Sequence, residues 1–390
     1  MSKYPSDWKS QTLGDLVTLQ RGYDLPSQNR INGEVPIMSA AGLAGYHNTS
    51  NVSGPGIVIG RSGSGFGNVH YSEQDFWAHN TALFVKDFKN NDNQFVYYIL
   101  KSIDFTKHNS GGVQPSLNRN FIYPISVGIP PLLEQQKIAQ ILSTWDKAIA
   151  TTEKLIETSK QQKKALMQQL LTGKKRLVNP ETGKVFEDEW EFVRAGNVFQ
   201  TRSNKKHNSD LPILAITQDK GAIPRELIDY NVSVTNDSIS GYKVVEQGDF
   251  IISLRSFQGG IEYSKYKGIC SPAYVILYPK IKIVDAFYKY HLKSHPFIQA
   301  MKSRLEGIRD GKIISYKYFS EIKLPQPSLK EQQKIASVLT ASDKEIELLE
   351  VKLAHFKQEK KALMQQLLTG KRRVKMQDVK AQELKKTEPA

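Results

Sequence analysis

The 390-residue sequence has one cysteine, Cys270, so no internal disulfide can form and the chain suits a reducing compartment. That thiol is expected to be a small buried hydrophobe, not a nucleophile. Long apolar runs are missing too. Tyr274–Tyr278 is typical, far short of the roughly 20 residues that cross a bilayer. The opening stretch Met1–Trp8 holds no apolar segment of the signal-peptide kind, so a cytoplasmic address and no membrane partner are expected. Acidic residues are scarce, 39 against 54 Lys+Arg, which leaves a net charge of +15. Such a balance favours a polyanionic partner, nucleic acid ahead of a membrane surface. A merely soluble basic protein is the plainer alternative.

Catalytic and metal-binding constellations are equally thin. His291 and His295 stand one helical turn apart, but no third ligand is evident and Pro296 follows directly, so both are read as surface histidines and no metal is expected. Asp310 with Glu321-Ile322-Lys323 has the residue types of a nuclease triple, a combination that chance supplies often. The Asn/Asp-Pro-Pro-aromatic signature of amino-methyltransferases is absent, since Pro130-Pro131 lies between Ile129 and Leu132. No catalytic residue is assigned to this chain.

What the chain does have is itself, twice. Glu134-Gln135-Gln136-Lys137-Ile138-Ala139 returns as Glu331-Gln332-Gln333-Lys334-Ile335-Ala336, and the twelve residues from Lys163 to Lys174 return unchanged from Lys360 to Lys371. Across Glu134–Lys174 there are 25 identities in 41 positions at a constant offset of 197. A weaker copy surrounds this one: Asp7-Trp8 with Leu13–Leu16 against Glu189-Trp190 with Ala195–Val198, and Phe95–Ser102 against Phe287–Ser294. The order is therefore domain, helix, domain, helix. The expected boundaries are 1–130, 131–178, 179–325 and 326–375, with a tail, 376–390, whose composition suits disorder.

Between Pro130-Pro131 and Gly173 no proline or glycine interrupts, and both ends suit a helix start and stop. Ile138, Leu142, Trp145, Ile149, Thr152, Ile156, Ser159, Leu166 and Leu170 recur in steps of three and four, broken only at Lys163, as in a coiled-coil seam. The second copy presents Ile335, Leu339, Ser342, Ile346, Leu349, Leu353, Phe356, Leu363 and Leu367. Unequal bulk at matching positions (Trp145 against Ser342, Thr152 against Leu349, Ser159 against Phe356) suggests that the helices pack on each other. The tandem order closes most simply as a pseudo-two-fold with the helices antiparallel. Leu133, Leu155, Leu348 and Met364 fall off the seam and could join a bundle with partner proteins. The two helical segments carry +10 of the +15. Their lysine faces could track a phosphate backbone or simply be solvated.

The globular domains mix short β-type runs with a few helices, an α+β composition. In each, an apolar strand leads into Arg and a polar turn: Arg61-Ser62-Gly63-Ser64-Gly65-Phe66-Gly67-Asn68 in the first and Arg255-Ser256-Phe257-Gln258-Gly259-Gly260 in the second. Arg, Asn and Gln can form paired contacts to base edges, and glycine permits close approach of another backbone. The turn lacks the Lys-Ser/Thr of a phosphate-binding loop, and a tight hairpin with surface polar groups explains it equally. A second candidate loop precedes each long helix. It offers Gln114, Ser116, Asn118 and Arg119 in the first domain, and Arg309, Lys312, Ser315, Tyr316 and Lys317 in the second. Two copies with different side chains would read two different DNA half-sites.

Over essentially its whole length the chain resembles the specificity subunits of Type I restriction-modification enzymes. The resemblance rests on the duplicated Ile-Pro-Pro and Leu-Pro-Gln-Pro leading into Glu-Gln-Gln-Lys-Ile-Ala, on the duplicated Lys-Lys-Ala-Leu-Met-Gln-Gln-Leu-Leu-Thr-Gly-Lys, and on Pro180, Gly183, Phe186 and Trp190 ahead of the second domain. It implies two target-recognition domains, each reading half of an asymmetric bipartite site in double-stranded DNA, with the helices setting the gap. It also implies two methylation subunits that use S-adenosylmethionine, and two restriction subunits that use ATP and Mg. This chain itself would bind no cofactor. Base-reading residues vary within that family, so none is carried over. A non-specific nucleic-acid-binding coiled-coil scaffold is the alternative.

Overall fold

The computed structural model describes residues 4–110, 115–207, 210–228, 239–303 and 315–375. Within them the repeat in sequence is a repeat in architecture. The chain divides into two compact units, one running to Glu153 and resuming at Val351, the other spanning Lys154–Glu350. Each unit therefore holds one globular domain, the first part of one long helix and the last part of the other. The cut falls inside the helices, whereas the sequence reading placed boundaries at their ends.

In the first unit β1 (Lys9–Thr12) pairs antiparallel with β9 (Ser126–Ile129), just before the long helix. Helix α1 (Leu13–Leu16) continues from β1 through a capping box, in which the Thr12 hydroxyl accepts from the Asp15 N–H and Asp15 accepts from the Thr12 N–H. The main sheet has the order β2 (Thr18–Arg21), β8 (Ala82–Asp87), β5 (Gly56–Gly60), β6 (Val69–Ser72). Its central strand β5 is buried along its whole length, as its unbroken apolar run requires. A smaller sheet is built from β3 (Val35–Ser39), β4 (Gly42–His47) and β7 (Trp77–Ala78). Helices α2 (Asn93–Ser102) and α3 (Arg119–Ile122) complete the domain.

The second unit repeats the frame. Strand β10 (Glu191–Arg194) pairs with β19 (Lys323–Gln326), and α5 (Ala195–Val198) leads into a sheet ordered β11 (Phe199–Arg202), β18 (Val275–Pro279), β15 (Phe250–Ile252), β16 (Glu262–Tyr263). Where the first domain has one three-stranded sheet, this one has two antiparallel two-stranded pairs. They are β12 (Leu214–Thr217) with β13 (Gly221–Pro224), and β14 (Lys243–Val245) with β17 (Gly268–Cys270). The domain also has helices α6 (Ser256–Gly259), α7 (Asp285–His291), α8 (His295–Ser303) and α9 (Tyr316–Ser320), of which α7, α8 and α9 share a core with the four-stranded sheet. Among the described residues the class is α+β, as composition suggested.

The long helices are α4 (Leu132–Leu170) and α10 (Leu329–Leu367), each about 58 Å at 1.5 Å per residue. The Pro131 carbonyl accepts from the Glu134 and Gln135 N–H groups at the start of α4. Gly173 and Gly370, both at φ +71, come after the last turns in the left-handed conformation that glycine adopts freely. The pairing is antiparallel in each unit. In the first, Trp145 meets Phe356 edge to face at 5.6 Å and Glu153 meets Lys357; in the second, Lys160 meets Glu350 and Lys163 meets Asp343. None of the residues assigned to the seam is exposed.

The seam is not a plain coiled coil, however. Ile138, Leu142, Leu363 and Leu367 belong to the core of the first globular domain, and Leu166, Leu170, Ile335 and Leu339 to that of the second. Met364, assigned off the seam, also packs on the first core, whereas Leu133, Leu155 and Leu348 are exposed.

Identical side chains fasten helix to domain in both units. The buried Glu134 carboxylate accepts from the Trp8 indole N–H at 3.1 Å and from two Arg373 nitrogens at 2.8 Å each. The buried Glu331 carboxylate accepts from Trp190 at 2.9 Å and from Arg176 at 2.6 and 2.8 Å. One residue on, Gln135 accepts from the Asp92 N–H ahead of α2, and Gln332 accepts from the Val284 N–H ahead of α7. Lys163, the interruption in the seam, also has a partner: it pairs with Asp343, which accepts from the Tyr290 hydroxyl at 2.6 Å. Lys360, Asp146 and Tyr98 repeat that group in the first unit.

Two other expectations meet the structure here. Cys270 is buried, and burial pushes its thiol up to about 12, so it is inert. His291 is not on the surface. It is packed against Phe287 and Phe297, and burial pushes it down to about 4. The apolar face of α7, read through Phe287 and Tyr288, carries it inward.

Candidate nucleic-acid interface

In the first domain the two loops singled out in the sequence are one site. Arg61 leaves β5 into the β5–β6 hairpin, and its carbonyl accepts from the Leu117 N–H at 2.8 Å, while Ser62 bridges to Ser116. Arg61, Ser116, Asn118 and Arg119 then line an open depression of about 440 Å³, together with Gln20 and Arg21 from the end of β2. No carboxylate is among its described lining residues, and no ion pair reaches any of the three arginines among the described residues. Partial burial, and secondarily the neighbouring Arg21 charge, hold the Arg61 guanidinium below its usual pKa. Arg119 is fixed by a 2.8 Å bond from Nη1 to the Leu19 carbonyl. The Asn118 side chain caps α3 by accepting from the Asn120 N–H.

Ser62, Ser64 and Asn68 lie on the same hairpin, outside that lining. Two of the glycines serve the protein's own packing: a Cβ on Gly65 would lie 2.1 Å from the Ala40 carbonyl oxygen, and one on Gly60 would lie 1.9 Å from the Gly65 oxygen. The backbone that these two approach is the domain's own. Gln114 lies outside the described residues.

The second domain answers differently. After β15 the chain forms the single turn α6 where the first domain has a glycine-rich hairpin tip, with Arg255 exposed at its N-terminus and Gln258 exposed on it. Ser256 is buried and accepts from the Ser253 N–H at 2.9 Å, so it holds the turn and is not free to read a base. The Tyr316 hydroxyl donates to the Phe199 carbonyl and its ring packs on the core, again a framework role. Ser315 caps α9, and Lys317 is exposed. Arg309, Lys312 and Asp310 lie outside the described residues.

Sequence reasoning missed Gln20 and Arg21. The available signal was that β2 and β11 each end on an arginine, Arg21 and Arg202. Arg202 is not open to a ligand in the same way, since it pairs with the buried Asp249 at 3.3 Å and lies over the Tyr278 ring at 4.4 Å.

Each unit also has an open cleft beside the repeated helix segment. Lys160, Lys163, Lys164, Met167 and Gln168 line one of about 810 Å³; Lys357, Lys360, Lys361, Met364 and Gln365 line its counterpart of about 770 Å³. Among the described residues no group of His, Cys, Asp or Glu gathers to hold a metal, and no helix is long and apolar enough to cross a membrane.

Residues 5–161 and 187–358 both match the family described as the Type I restriction modification DNA specificity domain. The chain is 28% identical over 409 aligned positions to the Type I restriction enzyme MjaVIII specificity subunit of Methanocaldococcus jannaschii, covering 96% of this chain and 95% of that one. A second protein of that organism, named for the MjaX specificity subunit, is 31% identical over 279 residues, a match taking in 67% of this chain and 63% of the relative. In fold the chain is similar to a crystal structure of a Type I restriction-modification system S subunit from M. genitalium, with a TM-score of 0.62 at 18% identity over 93% of this chain and 96% of that one. With the family's domain matched twice across most of its length, the chain belongs to the Type I restriction modification DNA specificity family, that of the specificity subunits.

Proposed function

We propose that this chain is the non-catalytic, DNA-reading subunit of a Type I restriction-modification complex, in which each globular domain reads one half of an asymmetric two-part site. The observation that carries this reading is the contrast within one molecule. The parts that fasten domain to helix are the same side chains in both units, while the exposed polar groups after β5 and β15 differ in kind. Two like frames with unlike mouths suit one DNA read at two unlike places. Base-edge contacts by Arg, Asn and Gln supply the discrimination, and the basic helices add the sequence-independent attraction to phosphate.

In this reading α4 and α10 fix the gap between the half-sites and dock two copies of one methylation subunit. Lys164 and Gln168 are exposed, as are Lys361 and Gln365, and packing does not require matching side chains there. Presenting one surface twice fits a partner that binds twice. The partner subunits would supply S-adenosylmethionine-dependent adenine methylation and ATP- and Mg-dependent restriction. The test is to replace residues 1–130 with the corresponding domain of another specificity subunit and sequence the methylated adenines in cells that also express the methylation subunit. One half of the site should change, with the other half and the gap retained. A change in both halves, or in the gap, would remove the modular reading.

A further inference from the structure

The lining of the depression in the first domain carries an inference about which base it reads. Arg21, Arg61 and Arg119 converge on it, and no carboxylate among the described lining residues balances them. Such a cluster disfavours itself in the free protein through repulsion and partial desolvation, and it is relieved by a ligand rich in hydrogen-bond acceptors. The three guanidiniums are not equivalent. Arg119 has one nitrogen committed to the Leu19 carbonyl, so the remaining N–H groups are held in a fixed fork. A fixed planar fork suits paired recognition of two acceptors on a base edge, whereas a mobile point charge suffices for phosphate.

In the major groove guanine presents two adjacent acceptors, O6 and N7, and adenine presents an acceptor beside a donor. Adenine therefore asks for a side chain that accepts as well as donates. One lone pair of the Asn118 oxygen takes the Asn120 N–H, and one amide N–H of Gln20 goes to the Tyr23 hydroxyl at 2.7 Å, so both amides are tethered to the protein, whereas the three arginines offer donors alone. Resting on the DNA-reading function proposed above, we infer that the first domain reads a G·C pair in its half-site, with the Arg119 fork on the guanine edge and Arg21 and Arg61 beside it. Arg119 is exposed at the start of α3, within reach of a ligand entering the open side.

The experiment selects bound fragments from a random double-stranded DNA library with the full chain in complex with its methylation subunit, then repeats the selection with Arg119→Ala and Arg119→Lys. The wild type should enrich a site with guanine at one fixed place in one half. Both variants should lose that preference while keeping the other half, whose retention shows that the second unit is folded. Because Arg119 holds Leu19, a second measurement leaves the protein untouched: 7-deazaguanine at that place, which lacks the N7 acceptor, should weaken wild-type binding about tenfold. Variants that keep the guanine preference, full tolerance of 7-deazaguanine, or a uniform loss of affinity with every preference intact would overturn the inference, the last marking a phosphate contact. If the wild type enriches no sequence at all, the DNA-reading function itself fails and this inference falls with it.

Discussion

In one unit β2 ends at Arg21, exposed beside Arg61 and Arg119; in the other β11 ends at Arg202, tied to buried Asp249 and stacked on Tyr278. The two sheets share strand order and pairing, and in both helix attachments a tryptophan and an arginine donate to the buried glutamate. The divergence lies in the loops and turns beyond the strand ends. The molecule thus separates what is common, the geometry of attachment, from what differs, the chemistry presented outward. It does so by duplicating buried polar knots, where any change is costly, and letting exposed loops diverge, where change costs little.

That comparison can be broken most forcefully at the knots. Glu331→Ala leaves Arg176, whose side chain is 21% exposed, without its carboxylate, and should destabilise the second unit by about 3 kcal/mol in chemical denaturation. Glu134→Ala should cost less, because Arg373 is 42% exposed and keeps Asp7. Equal costs would mean that the two attachments are not distinguished by solvent access.

A second test addresses the loops. Arg61→Ala should cost about 1–3 kcal/mol in binding and relax the sequence preference at one position in one half-site, and Arg255→Ala should do so in the other half. If both variants affect the same half, the two turns do not serve two reading heads.

The smallest expected effect concerns acidity. Burial pushes Glu262 up to about 7 despite its 2.6 Å contact with Lys293, and pushes Asp249 up to about 6. A carboxyl whose folded pKa lies above its unfolded value contributes stability that is complete below the unfolded pKa, and that contribution is lost as pH rises through the folded one. The second unit should therefore weaken between about pH 4.5 and 7 from this source. His291, pushed down to about 4, acts in the opposite sense and removes stability as pH falls from its ordinary value toward 4. Glu262→Gln should flatten the rising-pH loss and stabilise the protein at pH 8 on the order of 1 kcal/mol, discounted because Lys293 then lacks a charged partner. An unchanged slope of stability against pH would show that Glu262 is ionised throughout.

Much of the frame was legible in the sequence because a repeat with a constant offset is a strong signal, and apolar spacing in a helix has one geometric meaning. The lone interruption at Lys163 was equally visible, but its partners Asp343 and Tyr290 lie 180 and 127 positions away, and only the fold brings them together. The same holds for the candidate site. Arg61 and Arg119 were identified separately, yet nothing in local chemistry tells that the Leu117 N–H bonds the Arg61 carbonyl, or that Arg21 joins them from β2. Ser256 and Tyr316 went wrong for the converse reason: a hydroxyl that can meet a base can as well meet its own backbone, and burial decides which. The burial of His291 was not legible because local spacing does not tell that the face of α7 it shares with Phe287 is the one turned into the core.

Lys163 and Lys360 also have a bearing on alignment. A pair of helices joined only by leucines and isoleucines can slide by a turn, about 5.4 Å, and still meet apolar groups with apolar groups. Here each unit carries a cation set into that stripe opposite a single aspartate whose other oxygen is engaged by a tyrosine of the globular domain. A slip of one turn would leave the ammonium facing hydrocarbon and the tyrosine without its acceptor. Each unit is thus notched like a key, with one depth of insertion and no neighbouring setting of comparable energy.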